Sequence, residues 1–212
     1  MAIVAAGTRE RVYLTPTAEH ETIAAQAKPA WKPETPLPDD PRNFWTLSYG
    51  LSRYGDLFTP RQLVALTTFS DLVAEATQRI QADALVAGMA DDSLGLDACG
   101  SGATAYAQAV AVYLTLALSR LSDICNALCR WEVTKTQVRN LFGRQAIPMI
   151  WDFAENNVFA GAAGDYAVSL GNLLKALEKM PAKIGGKAVQ ADAQSETLSV
   201  DKVVSTDPPY YD

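Results

Sequence analysis

The sequence predicts a helix-rich α/β chain, and three observations predict it. Two long stretches repeat apolar residues at the three- and four-residue spacing of a helix face. Short runs typical of strands come only near the C-terminal end. Apolar residues make up 49% and charged residues 20% of the 212 residues, a globular composition that can bury a substantial core.

Residues 1–42 are predicted to form an extended, proline-rich arm. Proline fixes φ and lacks an N–H donor, so its density here excludes a helix or a central strand. A short strand is expected at Arg11–Leu14, and the arm needs another surface to lie against. The prolines concerned are Pro29, Pro33, Pro36, Pro38 and Pro41.

Residues 43–185 are predicted to form a helical segment. In its first helix Thr59 is the expected N-cap, Pro60 takes the first helical position and Gly88 is the expected stop. A second long helix is expected over residues 103–130, because its apolar residues keep the helical period.

Two shorter helical regions are predicted to follow. The spacing of Thr134 to Gln137 fits a capping box, so a third helix is expected to begin there, with interruptions at Gly143 and Pro148. A fourth helix is expected over residues 165–180.

Residues 186–212 are predicted to hold the first strands of a sheet. The candidate strands are Ala188–Ala191 and Lys202–Ser205, which a polar stretch separates. Two strands do not make a stable sheet alone, and the sequence stops at Asp212 without a terminating element. We therefore expect a truncated catalytic sheet, in a chain cut from a larger domain.

The strongest functional signal follows the second candidate strand. Asp207, Pro208, Pro209 and Tyr210 form an acidic turn whose backbone the two prolines fix. The carboxylate of Asp207 and the carbonyl of Pro208 can accept both hydrogens of a planar amino group such as that of adenine. The amino lone pair would then face a methyl donor. Tyr210 offers a stacking face for a flipped base. The alternative is a structural turn without chemistry.

This turn resembles the base-binding motif of amino-methylating DNA methyltransferases, in which a leading Asp is typical of adenine enzymes. Three stretches, Leu57–Leu63, Arg139–Glu155 and Thr206–Asp212, resemble a family of large adenine-specific DNA methylases. The resemblance implies a Rossmann-like methyltransferase fold, S-adenosyl-L-methionine (AdoMet) as cofactor, DNA as partner and methyl transfer to adenine N6. It also implies a Gly-rich cofactor loop upstream and further chain downstream, so the fragment alone is expected to be inactive.

Two further segments bear on the cofactor. Asp192 ends the first candidate strand, where the resemblance implies a carboxylate against the adenine amino group of AdoMet; an exposed turn aspartate is the equal alternative. Leu96–Gly102 is similar to an acidic, Gly-rich cofactor loop. It lacks a preceding apolar strand, however, so a loop at the N-terminus of a helix is the preferred interpretation.

The charge distribution restricts any DNA contact. The net charge of −6 is opposite to that of a protein that binds nucleic acid over a broad face, so the contact should be local. Arg130, Lys135, Arg139 and Arg144 form the densest basic run. A solvated helix face is favoured there over phosphate contacts.

The cysteines and the most apolar run give no functional signal. Cys99, Cys125 and Cys129, with His20 as the single histidine, are expected to bind no metal and to be thiols in a reducing, cytoplasmic compartment. Gly102–Leu118 contains polar residues and continues into charged ones, so it predicts a buried helix and no membrane contact.

Two rival functions stay open. One is methylation of RNA or of another planar amino group, because related motifs serve several substrates. The other is a partner- or DNA-positioning helical module that performs no chemistry. Such a module would bind nucleic acid without AdoMet, whereas an enzyme segment would need the upstream chain.

Overall fold

The computed structural model describes residues 2–8, 10–42, 44–143, 146–180 and 189–207. The chain divides into two compact units, Met1–Leu177 and Glu178–Asp212. Helices dominate the described residues, and the strands form two small antiparallel sheets of two strands each. The predicted mixture of helix and strand is therefore confirmed at this coarse level.

The arm holds more regular structure than its prolines predict. Strand β1 (Ile3–Ala6) pairs with β2 (Arg11–Leu14) in an antiparallel hairpin, which confirms the expected strand at residues 11–14. Helix α1 (Ala18–Ala25) contradicts the expectation of a helix-free arm. It forms because proline disrupts a helix only from within. Pro16 and Pro29 both lie outside α1.

Helix α2 (Pro60–Val86) begins where the sequence predicts and ends close to the predicted stop. Gln62 N donates to Thr59 Oγ1, and Thr59 N donates to Gln62 Oε1 at 2.8 Å, so both halves of a capping box are present. At the other end Gly88 adopts φ 89°, a left-handed conformation that glycine tolerates and that terminates helices.

Helix α3 (Ala103–Ile124) is shorter than predicted, because it ends at Ile124 and the periodicity predicts an end at residue 130. The Nδ2 amide of Asn126 donates to the carbonyls of Ser122 and Asp123 at 3.0 and 3.1 Å. The side chain therefore takes the place of the next helical N–H groups, and the backbone leaves the helix at Cys125, with φ −122° and ψ 66°.

A hairpin occupies the position of the predicted third helix. Strand β3 (Trp131–Glu132) pairs antiparallel with β4 (Gln137–Val138), so the capping-box interpretation was wrong. Thr136 in the turn has φ 46°. Aromatic and β-branched residues are dense in this segment, and they favour a pleated strand over a helix.

Helix α4 (Tyr166–Leu177) lies within the predicted range and is three residues shorter at its C-terminal end. Asp165 is the cap, because its Oδ1 accepts from Ala167 N at 2.7 Å. The Tyr166 ring stacks on Phe69 of α2, with ring centroids 4.6 Å apart.

The core of the first unit has two clusters. One contains Leu121, Cys125 and Val158, and the other collects residues from distant parts of the chain. The arm contributes to this second cluster, since Leu37 is buried in it and Leu37 N donates to Ser52 O at 2.8 Å. The arm thus lies against the helical segment. The second cluster consists of Leu37, Leu57, Leu128, Leu141 and Ile147.

Residues 189–207, the longer of the two described parts of the second unit, consist of turns and extended chain without a strand. The two predicted strands are therefore wrong wherever they fall within these residues. Lys202 belongs to a bend, and Val203 is fully exposed. Within residues 189–207 no second strand runs alongside to satisfy the backbone N–H and C=O groups, and an apolar run without a partner does not become a strand.

Candidate functional site

The predicted base-binding turn is only partly within the described residues. Asp207 is exposed and follows extended chain at Val203 and Val204. Pro208, Pro209 and Tyr210 lie outside the described residues. The structure therefore places the acid of the motif on an accessible surface.

Asp192, the predicted cofactor contact, lies in a tight turn. Its Oδ1 accepts from Gln194 N at 2.9 Å, and its backbone carbonyl accepts from Glu196 N at 2.9 Å. This is the Asx-type turn of the structural alternative. The residue is nevertheless exposed, so the turn presents its carboxylate on the surface.

A second turn in this unit was not predicted from the sequence. Glu196 accepts from the backbone N–H of Ser199 at 3.0 Å and also from the Ser199 hydroxyl. The hydroxyl contact is the main cause that lowers the pKa of Glu196, and the backbone bonds add to it. The spacing of an acid to a serine three residues later is the sequence signal that could have indicated this turn.

The first two stretches that resemble the methylase family meet in space. Leu57 is completely buried, and its carbonyl accepts from Ala127 N at 2.8 Å. Leu141 and Ile147 from the second stretch pack in the same cluster as Leu57. Arg61 completes the contact, since its Nη2 lies 2.9 Å from Glu155 Oε2.

Asp123 holds the second stretch against the end of α3. Its Oδ1 accepts from Phe142 N at 2.6 Å, its Oδ2 from Asn140 Nδ2 at 3.1 Å, and its carbonyl from Leu141 N at 3.0 Å. Sequence reasoning missed this residue, because an Asp within a predicted long helix gives no sign of a partner about twenty residues later.

Gln62, in the stretch Leu57–Leu63, is a buried polar residue of the core. The side chain is 1% exposed, and its Nε2 has no hydrogen-bond partner among the described residues. Its Oε1 is held by the N-cap bond to Thr59 N. The cap of α2 thus fixes the amide oxygen of Gln62.

The Gly-rich segment similar to a cofactor loop connects α2 to α3. Asp91 accepts from Thr104 N at 3.0 Å, and Asp92 accepts from Ser101 N at 2.9 Å, so two carboxylates cross the loop and hold the first turn of α3. These backbone hydrogen bonds are the largest cause that lowers the pKa of each aspartate. Asp91 therefore caps α3 from thirteen residues away.

The glycines of this loop have a structural cause. A Cβ at Gly100 would lie 2.1 Å from the carbonyl oxygen of Leu94, and one at Gly102 would lie 2.6 Å from Asp91 Cα. Both distances are impossible, so the close approach of the loop to itself requires glycine. The interpretation of Leu96–Gly102 as a loop at the N-terminus of a helix fits this geometry.

The basic run does not share a helix face. Lys135 lies in the β3–β4 turn, and Arg139 follows β4 and forms an ion pair with Glu132. The hydrogen bond from Arg139 is the main cause that lowers the pKa of Glu132. Arg130 is exposed, and Arg144 lies outside the described residues.

Two of the three thiols are in the core. Burial raises the pKa of Cys125 to about 12 and that of Cys129 to about 11, while Cys99 is exposed. A raised pKa keeps a thiol protonated and a poor nucleophile or metal ligand. Within the described residues, no group of three or more His, Cys, Asp or Glu side chains is placed to hold a metal ion. None of the described helices is long and apolar enough to cross a membrane.

Comparisons with protein-family models, with curated proteins and with solved structures find no significant match to this chain. The function is therefore inferred from the residues and contacts of the chain itself.

Proposed function

We propose that this chain is part of an AdoMet-dependent DNA methyltransferase that modifies N6 of adenine, with a Rossmann-like catalytic sheet. The observation that carries the proposal is the sequence Asp207-Pro208-Pro209-Tyr210, in which an acid, a fixed carbonyl and an aromatic ring follow one another. The exposure of Asp207 supports it, because a group that acts on a flipped base must be reachable.

The residues of the turn act by positioning. The Asp207 carboxylate and the Pro208 carbonyl accept the two amino hydrogens of adenine, and the nitrogen lone pair turns toward the methyl donor. The two prolines set the carbonyl direction before the base arrives. The Tyr210 ring stacks on the flipped base. AdoMet supplies the methyl group when it is bound.

The carboxylate of Asp192 is proposed to accept a hydrogen bond from the amino group of the AdoMet adenine. Its exposed carboxylate has the right charge and hydrogen-bonding character for that contact. Oδ1 already accepts from Gln194 N, so the turn fixes the direction in which the carboxylate points. A preorganised acceptor of this kind loses little conformational entropy when it binds.

The packing of the first unit supports the same family. Leu57–Leu63 and Arg139–Glu155 are separated by more than seventy residues, yet both contribute to one core and are joined by the Arg61–Glu155 ion pair. This contact is consistent with the two stretches acting as one structural element of the proposed enzyme.

The test uses the complete protein that contains this chain, with methyl transfer from labelled AdoMet to an adenine-containing DNA duplex. Asp207→Ala should lower the rate by about a hundredfold or more, because it removes a preorganised acceptor. AdoMet binding and thermal stability should stay unchanged. A near wild-type rate for Asp207→Ala would reduce the motif to a turn.

Tyr210 gives an independent arm of the test. Tyr210→Ala should weaken capture of the flipped base by about 1–3 kcal/mol, the range of one lost stacking face. Tyr210→Phe keeps the ring and serves as the matched control, so it should be mild. Equal damage in both variants would show that the ring does not stack. The same assay with an RNA oligonucleotide decides between the DNA and RNA alternatives.

A positioning role for the first unit is the second candidate. Residues 1–177 contain both core clusters, so this unit has a hydrophobic core of its own and could act as a separate binding module. Fluorescence anisotropy of the chain with a labelled DNA duplex, without AdoMet, tests this role. Saturable DNA binding that weakens with salt would favour a positioning module. If the chain binds no DNA, this second candidate is rejected and the contact with the substrate is assigned to the proposed base-binding turn.

A further inference from the structure

Helices α2 and α3 do not pack continuously against each other, and a hollow lies between them. The hollow measures about 340 Å³, the size of a site for a small molecule. Each helix contributes a stripe with the spacing i, i+3, i+4, i+7, and the two stripes face each other across the hollow. Small hydroxyl residues take five of these eight positions, and their size leaves the gap. The stripes are Leu63, Leu66, Thr67 and Ser70 on α2 and Thr115, Leu118, Ser119 and Ser122 on α3.

The walls of this α2–α3 hollow are aromatic. Trp31 from the arm, Tyr54, Phe58 from the turn before α2 and Phe142 from the second methylase-like stretch all line it. Rings around a gap of this kind favour a flat aromatic ligand, which they contact edge-on or in offset stacks.

Two of the five Ser and Thr hydroxyl groups that line the hollow are bonded within their own helices. Thr67 Oγ1 donates to Leu63 O at 2.8 Å, and Ser122 Oγ donates to Ser119 O at 2.7 Å. Both hydrogens are therefore used within their own helices, and these groups offer a ligand no free donor. The aromatic walls and the three leucines of the two stripes favour a ligand that is apolar where it enters the hollow.

A second depression adjoins the hollow and is lined by a cation. This depression of about 500 Å³ shares Ser119, Ser122 and Phe142 with the hollow and adds Arg120 and Asp123. The oxygens of Asp123 already accept from Phe142 N and from the Asn140 amide. None of the ion pairs formed by the residues that the structure describes includes Arg120.

We propose that the α2–α3 hollow binds a small aromatic anion, with the ring between the aromatic walls and the acidic group at Arg120. The site lies within the first unit and is independent of the proposed methyl transfer. Charge complementarity favours an anion, because Arg120 lines the adjoining depression and belongs to none of the ion pairs formed by the described residues. The Asp123 carboxylate, in contrast, is held by Phe142 N and the Asn140 amide.

The probes are 1-anilinonaphthalene-8-sulfonate, an aromatic anion, and N-phenyl-1-naphthylamine, its close neutral relative. Fluorescence titration of the chain should show one saturable site per chain for the sulfonate. Arg120→Gln should weaken sulfonate binding about tenfold, as expected for loss of one charge-assisted contact, and should leave the neutral probe unaffected. Arg130→Gln, at an exposed arginine that does not line the site, is the matched control and should change neither.

A cavity-filling variant tests the location. Ser119→Leu should weaken both probes about tenfold, because the added carbons occupy the ligand's space. Thr68→Leu, on the exposed side of α2 away from the hollow, should have no effect. Thr115→Leu is the second filling variant, should Ser119→Leu fail to fold by circular dichroism.

Three results would overturn the proposal: unsaturable uptake of several sulfonate molecules, unchanged binding in a folded filling variant, or an equal loss of both probes in Arg120→Gln. The last result would show that Arg120 contributes to the site through packing and not through its charge.

Discussion

The residues singled out by the sequence are buried in the first unit and exposed in the described part of the second. In the first unit Leu57, Leu141 and Ile147 are buried together, and Asp123 gives its side-chain oxygens to Asn140 and Phe142. In the described part of the second unit, Asp192 and Asp207 are exposed in turns and extended chain. A buried motif specifies how the chain folds, and an exposed one is available to a ligand. Only the second kind is a candidate for chemistry.

The largest expected effect is in the core of the first unit. Leu57→Ala should destabilise the chain by about 2–5 kcal/mol, the cost of lost apolar burial plus a cavity. Urea denaturation followed by circular dichroism measures the change. Val203→Ala in the second unit is the control and should stay within about 0.5 kcal/mol, since an exposed valine has little burial to lose. Similar losses for both variants would erase the contrast between the units.

The next effect concerns the Asp123 contacts. Asp123→Ala leaves the Phe142 N–H and the Asn140 amide without their acceptor, at a cost of about 1–3 kcal/mol. Amide hydrogen exchange at Phe142 should accelerate selectively. Asp192→Ala, which removes a carboxylate from an exposed turn, is the comparison and should change stability less. The opposite order would mean that the turn of the second unit is the more structural of the two.

The start of α2 gives a smaller effect. Thr59→Ala should cost about 1 kcal/mol, because it removes the side-chain half of the capping box. Thr59→Ser keeps the acceptor and is the matched control. The thermal midpoint reports both, and equal midpoints for the alanine and serine variants would show that the cap contributes nothing.

The smallest expected effect depends on acid. The hydrogen bonds to Asp91 and Asp92 lower the pKa of both carboxyls from 3.8, so their contribution to stability is present above that value. It is lost as the pH falls through the lowered pKa of the folded state. Asp91→Asn should flatten the fall of the thermal midpoint in this acid range. An unchanged fall would place the acid-sensitive groups elsewhere.

The sequence predicts the long helices well and the short elements poorly. Thr59 and Pro60 fix the start of α2, because a cap is a local interaction between near neighbours. The end of α3 and the β3–β4 hairpin were missed because contacts from Asn126 and the pairing of Trp131 with Val138 override the local pattern. These partners lie within seven residues, but a side-chain cap and a two-residue strand pair leave no periodic signal in the sequence.

The candidate site divides in the same way. Asp207 is proposed from residue types alone, since the chemistry proposed for it depends on its immediate neighbours in the chain. The ion pair of Arg61 with Glu155 could not have been found, because the two residues meet only after the core around Leu57 has formed. The α2–α3 hollow was invisible for the same reason.

The length of α2 and the exposed thiol in the loop after it allow distances to be measured with a single attached dye. Helix α2 has 27 residues, so about 40 Å separates its start from the loop that follows it. That loop carries Cys99, the exposed thiol, while the pKa of Cys125 and of Cys129 is raised by burial. A maleimide dye should therefore attach at the far end of the pair without any engineered cysteine. Energy transfer from that dye to a labelled DNA duplex would then test whether DNA binds the chain and how far it lies from this loop.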